Sequence, residues 1–449
     1  MTTYYFDGEA GSDGNNGTST DTPKKNPSSV TFVAGDVCLL NRGKVWVAPA
    51  GTQAINIPAN NVRVGAYGIG ERPYINCAGV SRGVNVGTNI AGWIIEDLHI
   101  GNVASGTSRR GIVNATTGSS ETVAVNGTIR RVKIDGVLSD LANDCNGIAL
   151  VGDGNKILDS EISNIATDGI WVRARNIEIG RCTIANVATE QAAGRAGEFG
   201  DGIQFGGAGA SDFSGAWVHD NVVDHTSVGN AKNTIIVNGA SATQRMIFER
   251  NVLRSPVFTN HTALYLDAPG IVCVGNVVEG GDFGIYAVSA SGALIACNRV
   301  IGSNYGIRLA SSAAAQRVYH NVMRACGTGF YGTANDATTA LRNNVFLACA
   351  TGLLRHINMV ENNNCFFGNT TNASYTGGSS SLGGASIVAD PLLGADDAPL
   401  AGSPLIGAAS WVALMQDRRR APFKNAPSIG ASEYWPARSA VAAGRSWRG

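Results

Sequence analysis

The chain has 449 residues, with 34 Lys+Arg balanced by 34 Asp+Glu, a formal net charge of +0 and 15% charged residues. A neutral chain gives no electrostatic reason to expect nucleic acid as a partner. No apolar run approaches the roughly 18 residues of a membrane-spanning helix, so no membrane insertion is expected.

Residues 1 to about 60 follow no repeat. They open on Tyr4-Tyr5-Phe6-Asp7, pass through the Gly/Asn-rich stretch Gly11 to Gly17, and reach Gly35-Asp36-Val37-Cys38-Leu39-Leu40 and Gly43. An aperiodic start to a periodic chain is expected to cap the first coil, whose strand edges would otherwise be bare. No basic segment followed by an apolar run opens the chain, so no secretory signal is read.

From residue 61 a pattern of paired apolar residues begins. Ile95/Ile100, Ile129/Ile134, Ile157/Ile162, Ile179/Ile184, Val218/Val223 and Phe248/Leu253 occupy two recurring positions. Between them stands a slot filled by Leu98, Val132, Ser160, Cys182, Asn221 and Asn251. From about 270 to 355 the frame becomes regular. Gly284, Gly306, Gly329 and Gly352 are spaced by 22, 23 and 23 residues, and the slot asparagines Asn276, Asn298, Asn321 and Asn344 follow the same spacing. A fixed period in this range marks a solenoid. Each repeat holds short Val/Ile/aromatic segments that alternate as strands do, with Gly and Asn at the bends. The expected architecture is an all-β, single-stranded right-handed parallel β-helix of about 11–12 coils. The stacked asparagines are read as a ladder that satisfies backbone groups at a bend. The helix is assigned residues 61–368, and the Ser/Thr/Gly/Asn-rich 369–386 opens a closing segment, 369–449, suited to subunit contact. Nine dispersed cysteines without a CxxC pair are read as small buried hydrophobes.

The residues that could carry chemistry lie where the repeat breaks. The position before the coil glycine reads Asn146, Asp168, Asp201 and Asn233, but Phe283, Tyr305, Thr328 and Thr351 later. Asp168 and Asp201 are therefore expected on consecutive rungs, with α-carbons roughly 5 Å apart. Two such carboxylates repel, so one should titrate high or a calcium ion should sit between them. Gly169 and Gly202 are 33 residues apart. The excess over the repeat makes an insertion carrying Glu190, Arg195 and Glu198 that could wall a cleft. Asp168, Asp201, Glu198 and His219 are the candidate catalytic residues. Trp171, Arg173, Arg195, Lys232 and Asp267 are the candidate substrate contacts, with His225 nearby, and Asp267 with His261 makes a further exposed candidate group. Against this stands the plain reading that an Asp before Gly caps its own turn.

Tyr5-Phe6-Asp7 with Gly11-Ser12-Asp13 and Gly17-Thr18, Gly35-Asp36-Val37-Cys38-Leu39-Leu40 with Gly43, and Ser403-Pro404-Leu405-Ile406-Gly407 with Ile429-Gly430-Ala431-Ser432-Glu433 resemble the pectate-lyase-like right-handed parallel β-helix superfamily. The resemblance implies a long, slightly concave sheet that binds polysaccharide. It also implies a choice among polysaccharide lyase, glycoside hydrolase, and phage tailspike depolymerase, the last commonly a homotrimer. A non-catalytic glycan-binding or structural solenoid is the alternative. Ala166-Thr167-Asp168-Gly169 resembles part of the polygalacturonase Asn-Thr-Asp motif, but that family's Gly-His-Gly and Arg-Ile-Lys elements are missing.

Overall fold

The computed structural model describes residues 1–114, 124–139, 145–189, 200–206, 212–227, 232–239, 245–256, 260–310, 312–414 and 416–435. Each turn of the chain lays down three short strands, one in each of three parallel sheets. Among the described residues, sheet A has 14 strands, from Thr3–Phe6 to Val360–Asn362; sheet B has 14, from Val45–Val47 to Ile387–Val388; sheet C has 13, from Gly51–Ile57 to Thr371–Thr376. One coil runs Glu178–Gly180 in A, Thr183–Val187 in B and Asp201–Phe205 in C. The molecule is a right-handed parallel β-helix. Strands of all three sheets already occur within residues 1–60, and sheets B and C continue past residue 368.

The two apolar positions of the repeat become two interior columns. Ile129, Ile157, Ile179, Val218 and Phe248 stack along A, and Ile134, Ile162, Ile184, Val223 and Leu253 along B. A third column, Ile148, Ile170, Ile203, Ile235, Leu264 and Ile285, stacks along C, and all three are buried. Alternation points every second side chain inward, and the next coil continues the column one strand spacing away.

The corner between A and B turns on a single left-handed residue. Asp97, Arg131, Asp159, Arg181, Asp220 and Arg250 all have φ between 51° and 58°. That conformation is costly for a residue with a Cβ, and two devices hold it. The corner side chains alternate in sign and pair one rung apart, as in Arg131 on Asp97, Arg181 on Asp159 and Arg250 on Asp220. The residue after each corner turns inward, and from Asn221 to Asn364 it is the asparagine ladder. Asn298 shows the pattern: its Oδ1 accepts from the Asn276 backbone N–H at 2.9 Å and Asn276 Nδ2 at 3.0 Å. Its Nδ2 donates to Cys273 O at 2.9 Å and Asn321 Oδ1 at 3.0 Å. Every cysteine is free and buried.

The segment after sheet B ends does not coil. It folds back so that Leu405, Ile429 and Ala431 pack on the outward side chains Val322, Val345 and Cys365 of sheet B. Asp397, fully buried, anchors it to Arg299 and Arg324.

Candidate functional site on the outer face of sheet C

Sheet C presents outward a row of side chains that are half-buried except for the buried Ala149 and Ile236. Strand register places Ala149, Trp171, Gln204, Ile236, Tyr265, Tyr286, Arg308, Tyr331 and Leu354 side by side along this row. Inward neighbours such as Ile170 and Val172 are fully buried, while Trp171 and Arg173 face out. A second row lies at the B-to-C corner, where each strand of C begins. It runs Asn146, Asp168, Asp201, Asn233, Thr262, Phe283, Tyr305 and Thr328.

Asp168 and Asp201 are on consecutive rungs, as the spacing predicts. They do not line an open groove as expected: they are 5% and 2% exposed. The reason is a hydrogen-bonded ladder. Asn146 Nδ2 donates to Asp168 Oδ2 at 3.0 Å, and the Asp201 backbone N–H donates to Asp168 Oδ1 at 2.9 Å. The Asn233 backbone N–H and Nδ2 donate to Asp201 Oδ1 at 3.0 and 2.7 Å. Burial pushes the Asp201 carboxyl up to about 7, against the hydrogen bonds from Asn233 and the charge of Lys232, which pull it down. Desolvation therefore wins over N–H donation at this site. Three of the four carboxylate oxygens are spent on these bonds. Calcium, which takes six to eight oxygen ligands, does not fit this pair.

His225 fills the interior bend position beside this ladder. The coils before it have Ile165 and Val187 there, and later coils have Ser303, Cys326 and Cys349. A Cβ on Gly202 would meet His225 Nε2 at 3.0 Å, so the glycine after Asp201 makes room for the ring. Burial holds the imidazole down to about 3, and its Nε2 has no hydrogen-bond partner among the described residues. His225 is therefore a neutral imidazole in the core. His261 is also buried at the corner, and burial lowers its pKa. Asp267 stands at the far end of the same strand, Thr262–Leu266, so His261 and Asp267 do not form the exposed group expected of them.

His219 is not brought to the acids. It lies on sheet A in Trp217–His219, where Nδ1 contacts Asp220 Oδ2 at 2.8 Å and Nε2 contacts Glu178 Oε1 at 3.3 Å. Its ring stacks on Trp217 at 3.8 Å. Gly180 permits this, since a Cβ there would sit 2.5 Å from the ring. His219 is held in the charged outer face of A, one whole strand of B away from Asp201. Trp171 and Arg173 are on the outer face of C, and Lys232 is exposed at the corner before Asn233. Glu190, Arg195 and Glu198 lie outside the described residues. No group of three or more His, Cys, Asp or Glu is placed to hold a metal among the described residues.

Sequence reasoning missed the cluster around Arg308. Its signal was present in the aligned repeats: the second residue after the coil glycine is Tyr286, Arg308 and Tyr331, and the residue before the glycine is Phe283 and Tyr305. Register brings these five together on the open face of C.

A family model described as "Periplasmic copper-binding protein (NosD)" matches residues 181–383, less than half of the chain. No curated protein sequence matches. Among solved structures, the complex of XylC with xylose gives a TM-score of 0.55 at 10% identity, covering 97% of this chain and 98% of that one. A mannuronic acid specific polysaccharide family 6 lyase from human gut microbiota gives 0.51 at 14% identity, covering 84% of this chain and 83% of that one. Pectate lyase Pel9A gives 0.45 at 14%, with 96% of each chain covered. At such identities the likeness concerns the fold alone, the parallel β-helix.

Proposed function

We propose that this protein binds a polysaccharide along the outer face of sheet C. The observation that carries the reading is the half-buried row Trp171, Gln204, Tyr265, Tyr286, Arg308 and Tyr331, in register along sheet C and interrupted only by the buried Ile236 between Gln204 and Tyr265. Aromatic faces with interspersed polar groups suit stacking on sugar rings and hydrogen bonding to their hydroxyls. A row repeating every strand spacing suits a chain ligand rather than a compact one. The fold's likeness to the XylC complex with xylose and to the family 6 polysaccharide lyase is consistent with this reading. The test is affinity electrophoresis or calorimetry against a panel of polysaccharides. Trp171→Ala is expected to weaken binding at least tenfold, while Ile247→Ala, an exposed residue on sheet A, leaves it unchanged. Equal loss from both variants, or from neither, overturns the reading.

One observation favours cleavage as well as binding. Asp201 holds a proton until about pH 7 beside the row, so it could exchange that proton near neutrality. A polysaccharide hydrolase or lyase acting at the B-to-C corner is the corresponding activity. Asp201→Asn should then abolish release of reducing ends or unsaturated products while the sugar remains bound. Full turnover by this variant would remove Asp201 from the chemistry. The spike and homotrimer expected from the sequence gain no support from the comparisons and do not enter the proposal.

A further inference from the structure

We propose that Arg308 and the rings around it form a subsite for a carboxylate-bearing sugar, so that the polysaccharide held by sheet C is an acidic one. This rests on the reading that sheet C is the glycan face and adds the substrate class to it.

The Arg308 guanidinium carbon lies 4.7 Å from the Phe283 ring centroid, 4.9 Å from Tyr286 and 5.4 Å from both Tyr305 and Tyr331. Tyr286 in turn meets Tyr265 edge to face at 5.6 Å, and Phe283 stacks on Tyr305 at 5.5 Å. Four rings within reach of one cation orient its plane and exclude water from it. Among the described residues Arg308 has no carboxylate partner, and its buried Nε has no hydrogen-bond partner. Several other arginines of these coils are committed to carboxylates or carbonyls. Arg299 and Arg324 hold Asp397, Arg254 holds Glu279, and Arg355 donates to the carbonyls of His356, Ile357 and Met359. A guanidinium held flat among rings on an open face, with no internal anion, is complementary to an external planar anion that can take two parallel N–H bonds. A uronate carboxylate is such a group, and the sugar ring that bears it would lie against the tyrosine faces. The cluster is four rungs beyond Asp201, roughly 19 Å along the sheet at one strand spacing per rung. It is thus a contact remote from the acid corner and sets selectivity rather than chemistry.

The test uses the full chain on a glycan array containing uronate-bearing, neutral and sulfated polysaccharides. Calorimetry on the best binder and its carboxyl-reduced counterpart follows. Wild type should prefer the uronate form at least tenfold, and the preference should shrink as salt is raised. Arg308→Gln should erase the preference, losing far more affinity for the uronate form than for its carboxyl-reduced counterpart, and Arg308→Lys should restore part of it. Unfolding midpoints of the variants check that the coils remain intact. The inference falls if the tightest ligands are neutral or sulfated, or if Arg308→Gln keeps the uronate preference. Trp171→Ala separates the two readings, since it should weaken acidic and neutral forms alike. If neutral glycans bind through Trp171 and acidic ones gain nothing, the glycan face stands and the subsite does not. If no glycan binds, both fall.

Discussion

The proton on Asp201 has a consequence for stability that can be signed. In an unfolded chain this carboxyl ionises near 3.8; in the fold, burial holds it protonated to about 7. Between those values the unfolded state has lost a proton that the native state keeps, so native stability falls as pH rises through the interval. The contribution is fully present below about pH 4 and gone above about 7. Asp201→Asn keeps an oxygen for both Asn233 donors and removes the titration. Unfolding curves at pH 5, 6 and 7 should show wild type losing ground to the variant by up to about 1.4 kcal/mol per pH unit. A constant difference across that range would mean that the buried proton is elsewhere. Gly180 offers a second residue-level test. Its Cβ-free α-carbon accepts the His219 ring, and Gly180→Ala should cost about 1–3 kcal/mol by overpacking. In the His219→Ala background the same change should cost much less, and a double-mutant cycle measures the coupling.

At the scale of elements, the asparagine ladder holds the A-to-B corner from Asn221 to Asn364. Removing one rung strands donors on the rung before it and takes a donor from the acceptor on the rung after it. Asn298→Ala leaves the Asn276 backbone N–H and Nδ2 without their acceptor in a fully buried place. With about 1–3 kcal/mol for each buried group left unsatisfied, a loss of about 2–4 kcal/mol is expected in chemical denaturation. A loss near zero would show that water enters the bend. The ladder was legible in the sequence because one residue type recurs at the coil period. The Asp168–Asp201 rung was legible in the same way, since register follows directly from the period. Their burial was not: it depends on Asn146 and Asn233 closing the ladder on either side, and on desolvation exceeding what the hydrogen bonds return. His219 was misplaced for a related reason. Closeness in sequence to Asp201 says little in a coil whose consecutive strands belong to different sheets.

For the whole molecule, stability is a sum of coil-on-coil contacts, and the ends need cover. The returning C-terminal segment supplies apolar cover for sheet B through Leu405 and Ile429, with Asp397 as its polar anchor. Ending the chain at residue 388 should expose Val322, Val345 and Cys365 as an apolar strip. The shortened protein is expected to bind a hydrophobic dye and to elute as soluble aggregates. Elution at the full chain's monodispersity would show that this cover is dispensable. The described part of this segment lies on B, and among the described residues the outward row of aromatics and arginine on sheet C stays uncovered in the C-terminal coils.

By itself, the sequence determined that the chain coils, where its inward columns run, which residues share a rung, and which asparagines stack. All of these follow from period and alternation, which are local properties repeated. Tertiary structure alone decided that the two acids are enclosed, that His225 rather than His219 lies beside them, and that Arg308 stands among four rings with no acid to meet it among the described residues. Those outcomes depend on which of three sheets a residue belongs to and on what the neighbouring coils place around it. A list of residues in chain order does not contain that information until the coil is closed.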